Sequence, residues 1–262
     1  MKKIALIGGA GKLPFFLKKR VEEKGESVVT IGIREFPPLG FSPDYWIRLG
    51  EMGRLLRILQ EEDIKEIILS GKVDKRGILE YKGWDSTARE ILLKAPDKRD
   101  LSLLFSLYRF FEKLGFSFPP LEEYLSPWLA EEGVLTLRHP TPDEEGDLKL
   151  AWEVGKKLSE LDVGHTVVVR GGVITAVETF EGTDETIRRG GRWGEGGGVA
   201  KVPRPKEDLR WDPPVVGIGT LEVMEEVGIK ALVVGAGKTI LLEKEEFIKE
   251  AENREISVLG WR

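Results

Sequence analysis

Short apolar runs alternate with amphipathic stretches through the first third of the chain. Residues 4–7 form a continuous apolar run closed by Gly8 and Gly9. Residues 12–24 follow with helical spacing, Leu13, Phe16, Leu17 and Val21 sharing one side, and Gly25 ends the pattern. A β-branched run over 27–33, a helical stretch over 54–62 and a third apolar run over 64–69 complete the unit. Buried strands alternating with helices predict a parallel sheet covered on both faces. Such sheets hold ligands at the carboxyl ends of their strands, where Gly8 to Lys12 and Gly71-Lys72 fall.

Residues 97–114 carry Leu101, Leu104, Phe105, Tyr108, Phe111 and Leu114 at helical spacing. A segment rich in proline and acids follows, from His139 to Gly146, and a domain boundary is expected near it. The expected fold is therefore α/β. It pairs a parallel-sheet domain over 1–135 with a mixed α/β domain over 136–262. In the second domain a helix is predicted over 147–161. Strands over 165–170 and 173–177 are joined by Gly171-Gly172, a hairpin signal. Residues 190–198 read as a glycine-rich loop. A helix over 220–227, a strand over 231–234, a helix over 247–252 and a strand over 256–259 end the chain.

Composition narrows the function classes. The 262 residues carry a net charge of -5, so there is no basic excess to displace counterions from nucleic acid. No apolar run approaches the roughly 20 residues of a membrane span. Cysteine is absent, which removes disulfides, thiolate metal sites and cysteine nucleophiles, and fits a cytoplasmic location. Charged residues make up 32%, while Gln60 and Asn253 are the only side-chain amides, a balance that suits ion-pair networks at high temperature.

Two glycine-lysine runs invite a nucleotide reading and fail it. Gly8-Gly9-Ala10-Gly11-Lys12 lacks a following Ser or Thr, and the dinucleotide fingerprint would need a small residue where Pro14 stands. Gly235-Ala236-Gly237-Lys238-Thr239 lacks the first P-loop glycine, since that position is Leu232. Backbone amides at a helix start still bind anions, so Gly9, Gly11 and Lys12 remain candidates for phosphate or uridine, weighed evenly against a plain turn. His139 and His165 have no acid at metal-ligand spacing, which argues against a histidine zinc site.

Three polar stretches fall outside any amphipathic stripe: 177–184, 199–203 and 206–214. In an extended segment Asp208, Arg210 and Asp212 alternate onto one face. Two carboxylates suit a hard cation such as magnesium, and a guanidinium pairs with phosphate. In a chain this charged, a solvated loop would read the same way. A surface Asp208–Arg210 pair would be worth under about 1 kcal/mol, and Asp184 could serve only as a helix cap.

The run Val177-Glu178-x-x-Glu181-Gly182-Thr183-Asp184, then Lys201, then Asp208-x-Arg210-x-Asp212-x-Pro214 and Ile218-Gly219-Thr220, resembles a known family. This is the UDP-2,3-diacylglucosamine pyrophosphatase family of lipid A biosynthesis, in the branch without a calcineurin-like metallophosphatase fold. Gly8 to Pro14, Gly71-Lys72-Val73, Asp100 with Leu103-Leu104, and 161–164 add to the likeness, which spans nearly the whole chain. The chain departs from the family at His165, where a Gln is usual, at Gly235, where a Glu is usual, and at Arg99, which breaks an acidic doublet.

The resemblance implies a Rossmann-like N-terminal domain and a smaller C-terminal domain, and hydrolysis of UDP-2,3-diacylglucosamine to UMP and 2,3-diacylglucosamine 1-phosphate with Mg2+ or a similar divalent cation. It implies assembly of lipid A at the inner face of the cytoplasmic membrane, hence transient contact with that surface. Asp208 and Asp212 are expected to serve the metal or the attacking water. Arg210 and Lys201 are expected to offset phosphate charge. Thr183, Asp184, Asp100, Gly9, Gly11, Lys12, Gly71 and Lys72 are expected around the substrate. A homodimer is the default oligomeric expectation. The rival readings are a nucleotide-sugar or lipid-phosphate binding protein without chemistry, and a sugar-nucleotide dehydrogenase.

Overall fold

A computed structural model describes residues 2–73, 78, 80–96, 100–204 and 213–262, with the side chains of Asp100 and Leu101 left out. The chain divides into two compact units, Met1–Tyr124 and Leu125–Arg262.

The first unit is built on a parallel sheet of order β3-β2-β1-β4. Its strands are β1 (Lys3–Gly8), β2 (Ser27–Ile33), β3 (Tyr45–Ile47) and β4 (Glu66–Ser70). Helix α1 (Leu13–Glu23) links β1 to β2, and α2 (Met52–Glu61) returns the chain to β4 on the other side of β1. The reversal of strand order therefore falls between β1 and β4, the place where open parallel sheets leave a crevice. Beyond β4 lie α3 (Ser86–Lys94) and α4 (Asp100–Lys113). In α4 Tyr108 and Phe111 are fully buried while Phe105 remains exposed, and Leu114, just past its end, is exposed too. The apolar spacing over 97–114 gave this helix, although 97–99 lie outside the described residues. Neither β3 nor α3 was expected.

The second unit carries a six-stranded sheet of order β5-β12-β10-β8-β6-β7. Strands β8 (Gly198–Lys201), β10 (Ala231–Gly235) and β12 (Ser257–Trp261) run parallel. The hairpin β6 (Thr166–Arg170) and β7 (Val173–Val177) is antiparallel to them through β6, and β5 (Gly133–Val134) is antiparallel to β12. Because β5 joins this sheet, residues 125–135 belong to the second unit, which is no smaller than the first. Strands β9 (Val215–Val216) and β11 (Ile240–Leu241) form a separate parallel pair.

Alternation along the central strands fills both faces of the large sheet. Val168, Leu232 and Val234 pack with Ile187 of α6 (Thr183–Gly191), Met224 of α7 (Ile218–Glu226) and Phe247 of α8 (Lys244–Asn253). Val167, Val169 and Val233 pack on the opposite face with Leu148 and Trp152 of α5 (Pro142–Glu160). Helix α5 starts five residues before its expected position. The proline and acids taken for a linker are its first turn: Pro142 stands at its start, and Thr141 and Glu144 form a reciprocal capping box. Gly190 and Gly191 likewise belong to α6 rather than to a loop.

Candidate functional site

In the first unit, two turns at the carboxyl ends of β1 and β4 lock together. Gly9 donates its N–H to the Ser70 carbonyl at 2.8 Å. Ala10 and Lys72 exchange a pair of backbone bonds, at 2.9 and 2.8 Å. The approach leaves no room for side chains. A Cβ on Gly71 would lie 2.5 Å from the Gly9 oxygen, and its φ of +85° lies in the region that disfavours L side chains. The turn thus brings Gly9, Gly11, Lys12, Gly71 and Lys72 into one place, with both lysines exposed. Helix α1 begins there with Lys12 in the cap position and no side-chain cap. The amides of Gly9 and Ala10 are used inside the turn, so anion binding here would fall to the groups beyond them. Asp100 opens α4.

In the second unit, a polar cluster gathers at the carboxyl end of β8. Lys201 is the last residue of that strand and pairs in register with Thr166, the first of β6. Its Nζ donates to the Thr183 hydroxyl at 3.0 Å and to the Val215 carbonyl at 2.8 Å. Thr183 is the first residue of α6, delivered by Gly182, whose φ is +87°. The Thr183 hydroxyl donates to Glu178 Oε1 at 3.4 Å and accepts from Thr166 Oγ1 at 3.2 Å. The second Glu178 oxygen accepts the backbone N–H of His165 at 3.2 Å. The His165 ring meets the Val202 carbonyl through Nδ1 at 3.1 Å. Gly164 makes the crossing possible, since a Cβ there would sit 2.1 Å from the Glu178 carbonyl oxygen.

Charge in this cluster is internally arranged. Burial alone would raise the Glu178 carboxyl, but the Lys201 ammonium, the Thr166 hydroxyl and His165 hold it below the usual carboxylate range, so it is ionised at neutral pH. Burial lowers the His165 imidazole, and the Arg204 guanidinium adds to the effect, so the ring is neutral. Arg204 itself pairs with Asp162 at 3.3 Å. Asp184, exposed on α6, accepts from Thr220 Oγ1 of α7 at 3.3 Å rather than capping its own helix.

The structure therefore unites Lys201 and Thr183, and sets Asp184 against Thr220. Asp208, Arg210 and Asp212 lie outside the described residues. Among the described residues, no three His, Cys, Asp or Glu side chains gather to hold a metal ion. Two described acids at this cluster are engaged, Glu178 by Thr183 and His165, and Asp184 by Thr220. Thr166 and His165 enter the cluster without having been expected to, and Glu178 had been noted only as an acid at a strand end. The glycine run after β10 is a tight turn, with the Gly235 N–H on Thr239 Oγ1 at 3.0 Å. A Cβ at 235 would meet Pro203 at 2.5 Å, so this chain has no room for a longer side chain at that departure from the family pattern.

These features define a two-unit α/β protein with a polar, hydroxyl-lined cluster around a lysine at the carboxyl end of one strand. The chain belongs to the LpxI family: the model of the LpxI N-terminal domain matches residues 3–128 and that of the C-terminal domain matches 131–259. It is also similar to the UDP-2,3-diacylglucosamine pyrophosphatase LpxI of Caulobacter vibrioides, at 29% identity over 276 residues. That match covers 99% of this chain and 98% of the relative.

Proposed function

We propose that this protein hydrolyses the pyrophosphate bond of UDP-2,3-diacylglucosamine, releasing UMP and 2,3-diacylglucosamine 1-phosphate for lipid A synthesis. The observation that carries this reading is the full-length match to a pyrophosphatase of that name, across both of its family domains. The Lys201 cluster supports it chemically. Water adds to one phosphorus, the bridging P–O bond breaks, and each product leaves as a phosphate monoester. Catalysis of that step needs cations aimed at the phosphate oxygens and a positioned water. Lys201 is assigned the first task together with Arg210, whose fork suits phosphate.

Asp208 and Asp212 are assigned to magnesium or to the water, on the hard-oxygen chemistry of their carboxylates. When bound there, the ion would neutralise phosphate charge as a Lewis acid. Gly9, Gly11, Lys12, Gly71 and Lys72 are assigned to the substrate's anionic or uridine portion, and Asp100 and Asp184 to its surroundings. The acylated substrate implies work at the cytoplasmic face of a membrane. No helix among the described residues is long and apolar enough to cross one, so contact with the lipid surface would be peripheral.

The test is product analysis. Incubation with UDP-2,3-diacylglucosamine and magnesium is expected to yield UMP, chelation to stop it and added magnesium to restore it. Tight substrate binding with no UMP would leave a binding protein instead. Release unaffected by chelation would remove the metal assignment alone.

A further inference from the structure

We propose that the groove along the exposed face of α2, closed at one end by the start of α3, binds a phosphate monoester of a sugar or nucleoside. The groove has a volume of about 730 Å3 and lies wholly within the first unit, whereas Lys201 belongs to the second. That volume suits a ligand of nucleotide size and far exceeds a lone inorganic phosphate. Helical periodicity builds one wall. Arg54, Arg57, Ile58 and Glu61 share a face of α2 at i, i+3, i+4 and i+7, and all four line the groove. Gly53 sets the geometry at the α3 end. Its N–H donates to Asp85 Oδ2 at 2.7 Å, which fastens the start of α3 to the first turn of α2. A Cβ at 53 would stand 3.9 Å from Thr87 Oγ1, so the Thr87 hydroxyl lies beside the turn that carries Arg54 and Arg57.

Three acids also line the groove, and two of them are engaged inside the protein. Asp85 takes the N–H groups of Ala88 and Gly53 on its two oxygens. Glu51 accepts the Arg48 N–H at 2.9 Å and faces Arg54 at 3.7 Å. Arg57 and Glu61 are the decisive pair. They stand four residues apart on one helix, the spacing at which this chain pairs Lys18 with Glu22 and Lys149 with Glu145. Yet neither Arg57 nor Glu61 forms an ion pair among the described residues. A guanidinium left open beside the Ser86 and Thr87 hydroxyls suits phosphate oxygens. A carboxylate left open one turn further along suits sugar hydroxyls, the role an acid plays against ribose in nucleotide sites. Tyr45, whose hydroxyl is held by Glu62, adds an aromatic surface at that end. A bare anion would be drawn to Arg57 and repelled by Glu61. A ligand with phosphate at one end and hydroxyls at the other satisfies both.

The test titrates the full chain with ribose 5-phosphate, UMP and inorganic phosphate while the amide resonances of Ser86 and Thr87 are followed. These two resonances report the groove directly, whatever binds elsewhere on the chain. Ribose 5-phosphate is expected to shift them saturably and to bind at least about tenfold more tightly than inorganic phosphate, which lacks the hydroxyls for Glu61. Arg57→Gln is expected to weaken ribose 5-phosphate at least about tenfold, the loss of a charge-assisted fork. Glu61→Gln is expected to weaken ribose 5-phosphate about fivefold without weakening inorganic phosphate. Both side chains are exposed, so neither substitution disturbs the core.

The UMP arm separates the two sources of this chemistry. Tighter binding of UMP than of ribose 5-phosphate assigns the groove to nucleotides, and equal or weaker binding assigns it to sugar phosphates; either supports the site. No saturable shift at millimolar ribose 5-phosphate would overturn the proposal. So would an unchanged affinity in Arg57→Gln, or equal affinities for ribose 5-phosphate and inorganic phosphate, since the Glu61 end would then hold nothing. Wild-type protein that cleaves no UDP-2,3-diacylglucosamine yet binds ribose 5-phosphate in this way sinks the hydrolase reading and leaves the groove standing.

Discussion

Asp147 holds the tip of the β6–β7 hairpin from the middle of another element: its two carboxylate oxygens accept the N–H groups of Gly171 and Gly172, at 2.9 and 2.7 Å. Asp147 lies on α5 and is 5% exposed. Both glycines have positive φ, as a two-residue hairpin turn of this type demands. The bonds tie a hairpin at the sheet edge to a core helix, so the loss of both should be felt globally. Asp147→Ala is expected to cost about 2 kcal/mol in urea unfolding, the range for hydrogen bonds to a charged group with partial rescue by water. Asp147→Asn, which can satisfy only one of the two amides, should fall between the alanine variant and wild type.

Acid should weaken the second unit through Glu181. Burial works to raise this carboxyl, but hydrogen bonds from Thr179 and the Arg189 guanidinium outweigh it and hold it down at about 2. A depressed carboxyl binds its proton later in the folded state than in the unfolded one. Its contribution is therefore complete above the unfolded value near 4.5 and is lost as pH falls toward 2. Because the pair is partly solvated, about 1 kcal/mol is at stake. Glu181→Gln should melt below wild type at pH 7, and the gap should narrow steadily as pH falls from 4.5 toward 2. A gap that stays constant over that interval would show that the pair does not contribute.

The parallel core of the first unit was legible because its strands are buried on both faces and appear as unbroken apolar runs between glycines. Strand β3 was not: Tyr45–Ile47 is three residues long, too short for any period to show. The first turn of α5 misled for a different reason. Proline and acids are common in linkers, yet the same residues at N1 and beyond suit a helix start, and Thr141-x-x-Glu144 spelled out the capping box. In the candidate site, Thr183 and Lys201 stood out as polar residues outside any stripe. Their assembly with Thr166, Glu178 and His165 depends on the β6–β8 register and the close pass at Gly164, which pair residues far apart in sequence. The fate of Gly9 and Gly71 was half visible: the turns could be read at strand ends, but not that they use each other's backbone groups.

Gly71→Ala tests that interlocked turn. The new Cβ would fall 2.5 Å from the Gly9 oxygen, a backbone atom that cannot rotate away, at a φ of +85°. Strain of this kind costs on the order of 1–3 kcal/mol. Gly25→Ala is the control, with a similar φ of +76° but nothing within 4 Å of its Cβ. Both variants carry the dihedral penalty, so the extra loss in Gly71→Ala measures the close approach. If the turn serves the substrate, KM should rise in Gly71→Ala and stay at the wild-type value in Gly25→Ala.

Asp212→Asn keeps the shape of the side chain and removes its charge. On the hydrolase reading it should fold like wild type, bind substrate, and release UMP at least about a hundredfold more slowly, the lower range for loss of a key catalytic group. Lys201→Met should match it in kcat/KM for a different reason. It takes away a cation rather than an acid, and leaves the Thr183 hydroxyl and the Val215 carbonyl without their donor. The two variants separate in their response to magnesium. If Asp212 serves the metal, raising magnesium should partly restore Asp212→Asn by mass action, while Lys201→Met should not recover at any concentration. Equal recovery of both would mean that Lys201 acts through the ion, and recovery of neither would move Asp212 from the metal to the water.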